Sequence, residues 1–162
     1  MLRAGLMMLL LLAAGCSVDD PSEIPEASEE PRDLRVEQIS SDAQGQGPRQ
    51  PRAVVAPSAT VLSGAIGAHV PDSGSGSYLA AYWGEKPTGG YSMSVRSARL
   101  EANRVTVRLT LKEPPRDAIL TQALTYPYAV AVIRGLSPEG KDYSFVDENG
   151  RELGWPVRRV GG

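Results

Sequence analysis

The sequence predicts an all-β fold: a small antiparallel β-sandwich or open barrel of five to six strands, preceded by a signal peptide and a disordered linker. Three observations lead to it. All nine aromatic residues of the 162-residue chain lie at or after Tyr78, so the area that builds a core is concentrated in the last half. Val105, Val107, Leu109 and Leu111 alternate with Thr106, Arg108, Thr110 and Lys112, the period of a strand with one buried face. Short apolar runs are separated by turn residues, and none of them carries a helical period.

The elements follow in order. Tyr78-Leu79-Ala80-Ala81-Tyr82-Trp83 reads as a buried strand. Gly84-Glu85-Lys86-Pro87-Thr88-Gly89-Gly90-Tyr91 is a constrained turn. Pro87 fixes one dihedral, Gly89 and Gly90 permit positive φ, and Tyr91 anchors the returning chain. Tyr91, Met93 and Val95 then alternate with Ser92, Ser94 and Arg96, and a turn near Ala102-Asn103 joins this strand to the Val105 strand as a hairpin. Pro114-Pro115 ends the pair, since proline cannot donate to a ladder. Tyr128 to Ile133 is a further apolar, β-branched run. Tyr143 to Val146 and Arg151 to Leu153 flank the turn Asp147-Glu148-Asn149-Gly150.

The first residues read as an export signal. Arg3 supplies a positive charge, and Leu6 to Ala14 is an apolar run about half the length needed to span a bilayer. The run ends in Ala13-Ala14-Gly15-Cys16, and Cys16 is the only cysteine. This resembles the lipobox of bacterial lipoproteins, with Ala13 where leucine is commoner. The resemblance implies cleavage after Gly15 and a lipid on the Cys16 thiol. Ser17 rather than aspartate follows, which resembles proteins sorted to the outer of two membranes. The expected location is the cell envelope, lipid-anchored.

Three regions result: a signal peptide over 1–15, a lipidated and mostly disordered tether over 16–77, and a β domain over 78–162. Ser, Glu, Asp, Pro, Gly and Gln dominate the tether, and little there can offset the entropy of ordering. Within it, Asp33 to Ile39 has some helical character. Ala59 to Val70 is mildly apolar and is expected to pack on the domain as a first strand or a short helix.

Charge excludes some functions. Residues 17–52 carry nine acids against four arginines, and residues 53–162 carry ten acids against twelve bases. Neither balance supplies a nucleic-acid footprint, and Arg96, Arg99, Arg104 and Arg108 read as the solvated face of a sheet. Catalysis finds no constellation. His69 is the only histidine and sits beside Gly67, Pro71 and Asp72, where nothing holds it rigid for a triad. One histidine and a lipidated cysteine cannot make a zinc site, and Asp142, Asp147 and Glu148 lack the EF-hand spacing. No Gly-x-Ser-x-Gly, P-loop or Rossmann fingerprint is present. No enzyme, cofactor, metal or small-molecule substrate is expected.

One pattern is more specific. The Gly84–Tyr91 turn, the alternating strand, Pro114-Pro115 and then Thr121-Gln122-Ala123-Leu124-Thr125-Tyr126-Pro127-Tyr128 resemble the C-terminal domain of PrcB-type protease complex subunits, over about Tyr78 to Gly135. The resemblance implies a non-catalytic surface lipoprotein that binds and stabilises a secreted or surface serine protease. A loop held by proline at one end and a buried tyrosine at the other loses little entropy on binding. The expected contact surface is therefore Lys86, Pro87, Thr88, Gly89 and Gly90, joined by Tyr126 and Pro127. The turn is also similar to a loop of chagasin-like cysteine protease inhibitors, with Lys86 in place of asparagine, so inhibition is the second reading. A structural envelope lipoprotein is the third.

Overall fold

The computed structural model describes residues 30–43 and 46–161. The expected signal peptide, Cys16 and tether residues 17–29 lie outside the described residues. The described chain forms nine strands and one helix: β1 (Arg32–Leu34), β2 (Val36–Asp42), β3 (Arg52–Ala56), α1 (Ala59–Ile66), β4 (Gly76–Tyr82), β5 (Ser92–Glu101), β6 (Arg104–Lys112), β7 (Tyr128–Arg134), β8 (Asp142–Val146) and β9 (Val157–Arg159). They make two sheets, one in the order β1-β5-β6-β8 and one in the order β2-β7-β4-β3-β9.

The expected all-β sandwich is the observed architecture, with more strands than the five to six expected. The pairings are antiparallel except β6 with β8 and β3 with β9. The β5–β6 hairpin turns at Ala102-Asn103, where Ala102 takes a positive φ of 52°. Pro114-Pro115 follows directly on the end of β6. Of the Arg151–Leu153 run only Glu152 makes a bridge, to Val146.

Two apolar layers explain the patterns. Between the sheets lie Val55, Leu79, Ala81, Ala131 and Ile133 from one side and Met93, Leu100, Val107, Leu109 and Phe145 from the other. The opposite face of the second sheet buries Val54, Tyr78, Ala80, Val130 and Val132 under α1, where Leu62 is fully enclosed. β4 and β7 are covered on both faces, so their sequences are unbroken apolar runs. β5 and β6 keep one face in solvent and alternate.

Much of the expected tether is therefore folded. β3 lies between β4 and β9, and α1 is the lid of the second layer. Ser58 caps the start of α1 by accepting from the Val61 N–H at 3.3 Å, and Gly67 ends it in the left-handed region. Asp33 to Ile39, expected to lean helical, is instead β1 and β2. Leu34 and Val36 pack against the inter-sheet core and Ile39 against the outer layer. The break at Arg35 lets the chain pass from one sheet to the other.

The turn after β8 is built on Asp147, a buried acid. Its carboxylate accepts from the Asn149 and Arg151 N–H groups, both at 2.9 Å, and from the Arg151 guanidinium at 3.1 Å. The Arg151 N–H bond, before all else, holds this carboxyl below its ordinary value of 3.8. A depressed carboxylate contributes stability above its unfolded value, and loses it as pH falls through the folded one. Asp147→Asn is expected to lower the melting temperature at pH 7. It should also flatten the loss of melting temperature below about pH 4. Thermal melts of both proteins from pH 7 to pH 2 check this, and parallel curves would refute it.

Candidate functional site

β4 delivers the chain into Trp83 and the 84–90 turn, and β5 takes it away from Tyr91. Between them Trp83 and Tyr91 meet edge to face, with centroids 5.6 Å apart. The Lys86 ammonium lies over both rings, 4.2 Å from the Trp83 centroid and 5.5 Å from that of Tyr91. Burial pulls its pKa down, and the nearby Glu113 opposes that. Lys86 is thus a half-buried plug over the end of the core.

The turn is sewn to the segment that leads into β7. The Lys86 N–H donates to the Thr125 carbonyl at 2.8 Å, and the Thr125 N–H donates back at 3.0 Å. The Thr125 hydroxyl donates to the Thr88 carbonyl at 2.8 Å, and the Gly89 N–H to the Thr121 carbonyl at 3.1 Å. The Trp83 N–H donates to the Pro127 carbonyl at 2.9 Å. The Tyr126 hydroxyl donates to Glu85 at 2.7 Å, and this carboxylate keeps the phenol above its usual pKa.

A third strand of chain, from the expected tether, completes the support. The Glu85 N–H donates to the Arg49 carbonyl at 3.0 Å, and the Arg49 guanidinium lies 3.5 Å from the Glu85 carboxylate. The Tyr126 N–H donates to the Ala43 carbonyl at 3.1 Å, and Gly47 packs against the Tyr126 side chain.

The residues expected to form the surface are brought together, but not all of them face outward. Pro87 and Gly90 are exposed, and Thr88, Gly89 and Tyr126 are half-buried. Pro127 is fully buried and Lys86 is spent on the rings, so both support the turn from beneath. Two apolar residues were missed. Ile119 is fully exposed, and Leu124 is more than half exposed, on the segment closing over the turn. Their neighbours Leu120 and Thr125 touch Gly90 and Lys86. The signal was available: apolar side chains stranded between Pro115 and Tyr126, in no strand and with no period.

The glycines are not equivalent. Gly89 does not need a positive φ, and a Cβ there would find its nearest neighbour, on Thr121, at 3.9 Å. Gly84 sits at φ 82°, and a Cβ would come within 2.8 Å of the Arg49 carbonyl oxygen. Gly84→Ala is expected to cost roughly 1–3 kcal/mol, and Gly89→Ala less than about 0.5 kcal/mol. Urea denaturation separates them, and equal midpoints would refute the assignment of the strained position to Gly84.

His69 is exposed on the chain leaving α1. Among the described residues, no group of three or more His, Cys, Asp or Glu is placed to hold a metal ion. No helix among them is long and apolar enough to cross a membrane. Comparison with curated proteins and with solved structures gave no match. Residues 77–134 match the family model described as PrcB C-terminal. This stretch is β4 to β7, with the candidate surface in its middle. Residues 77–134 are thus similar to the PrcB C-terminal domain, and the strands outside the matched stretch complete both sheets.

Proposed function

We propose that this protein is a non-catalytic, lipid-anchored subunit of the cell envelope that binds and stabilises a secreted or surface protease. The contact surface is residues 87–90 of the turn, held from beneath by Lys86, together with Ile119 and Leu124. The observation that carries the reading is this juxtaposition inside the matched family segment. A turn pinned by four hydrogen bonds to the 121–127 segment presents Pro87 beside exposed apolar side chains. Preorganised backbone lowers the entropy cost of docking, and exposed apolar residues supply area to bury. The turn's edge is bonded along its length to its own chain, which favours a docking face over an inhibitory loop that enters a cleft.

The anchor is the Cys16 lipid, and the partner is a serine protease of the same compartment. Affinity capture with the tagged, membrane-extracted protein tests this. A co-purifying band that labels with a fluorophosphonate probe is expected. Cys16→Ser should release the bait into the soluble fraction without weakening that capture. Eluates lacking any probe-reactive protein would refute the reading.

A further inference from the structure

The solvent face of the first sheet carries a basic depression separate from the turn surface. Ser94, Arg96, Arg108, Thr110, Lys112 and Glu148 line it. Arg96 is the extra residue where the β5–β6 register shifts between Val95 and Ser97, and it is exposed. Arg108 is held on the rim by donating to the Glu148 carbonyl at 2.7 Å. Two other charged side chains of this sheet do have partners: Arg99 lies 3.6 Å from Asp33 on β1, and Asp142 lies 3.9 Å from Arg159 on β9 of the other sheet. Among the described residues, no carboxylate comes within 4.0 Å of Arg96, Arg108 or Lys112. Three cations thus share one depression with a single acid, Glu148, whose carboxylate lies within 4.0 Å of none of them.

The chain itself carries the complement. Residues 17–30 hold Asp19, Asp20, Glu23, Glu26, Glu29 and Glu30, with no lysine or arginine. Glu30 leads directly into β1, the edge strand of this same sheet. Arg32 pairs with Leu100, so the chain enters at the hairpin end, and the depression lies toward the other end, where Ser94 pairs with Thr110. The six residue steps along β5 from Leu100 to Ser94 span roughly 20 Å. Residues 17–29 can extend to about 43 Å, so reach is not limiting.

We propose that the acidic segment 17–30 lies in cis across the outer face of this sheet and fills the Arg96–Arg108–Lys112 depression. A tethered segment acts at high effective concentration, and it screens the depression from other anions.

Zero-length carbodiimide coupling on the full chain tests the proposal. The chain has three lysines: Lys86, over the aromatic pair, Lys112, at the depression, and Lys141. Lys141 precedes Asp142, which pairs with Arg104 at the hairpin end where the segment enters. A segment that only diffuses would couple to Lys141 at least as often as to Lys112. The proposal expects amide links from acids 19–29 to be mainly to Lys112. They should be lost in about 0.5 M salt, where the screening length is about 4 Å, and lost in Arg96→Gln, Arg108→Gln at unchanged melting temperature. Neutralising the six acids to Asn and Gln should let hexaglutamate bind roughly tenfold more tightly. Equal or greater coupling to Lys141, links found only between separate chains, or unchanged hexaglutamate binding would each overturn it.

Discussion

A polypeptide beginning at Tyr78 will not fold. It contains most of the segment matched to the family and every aromatic residue, but it lacks β1, β2, β3 and α1. Without β3, β4 becomes a sheet edge and β9 loses its strand partner, the Ala53–Val55 backbone. Without α1, the face formed by Tyr78, Ala80, Val130 and Val132 is left open to water. Covering those four side chains is worth on the order of 1 to 3 kcal/mol each, comparable in sum to the whole stability of a small domain. The expected result is no cooperative thermal transition and no near-ultraviolet dichroism from Trp83 and Trp155. A chain beginning at Glu30 should show both. A cooperative melt of the shorter chain would refute this account of the two apolar layers.

Phe145→Ala is expected to be the most damaging single substitution tested, at about 3–5 kcal/mol. Phe145 is 2% exposed on β8, the edge of its sheet, and stacks on Trp155 with centroids 6.3 Å apart. Its carbonyl accepts from the Leu153 N–H at 2.9 Å, so the ring and backbone together fix the chain that runs on to β9. Among the described residues, no strand lies beyond β8 to hold a collapsed cavity closed. Equilibrium urea unfolding measures the change, and a loss below about 1 kcal/mol would contradict the placement of this ring in the inter-sheet core.

How much of this was legible follows from what each element buries. β5 and β6 alternate because one face is wet, and β4 and β7 are unbroken because both faces are dry, so all four stand out in the sequence. β3 is only Arg52-Ala53-Val54-Val55-Ala56, and a search for aromatic area passes over a strand that fills its two layers with alanine and valine. β2 is an edge strand whose Glu37, Gln38, Ser40, Ser41 and Asp42 look like linker. Gln38 is nonetheless fixed, its side-chain oxygen accepting from the Val95 N–H at 2.9 Å beside the β5 bulge. In the site, proline and glycine marked the turn, and order along the chain linked it to Tyr126. The inward fold of Lys86 was hidden, because it depends on the Trp83–Tyr91 pair meeting across the turn. Ile119 and Leu124 carry no period, and only the closure of their segment over the turn gives them a place.

The most direct test of the central claim is protease capture by Ile119→Asp, Leu124→Asp compared with the native protein at matched melting temperature. Both side chains are solvent-exposed and lie outside the strands, so the melting temperature should stay the same. Placing two carboxylates on the contact face should reduce capture of the probe-reactive protease at least about tenfold. Undiminished capture by this variant would contradict the account, and move the contact surface away from the turn.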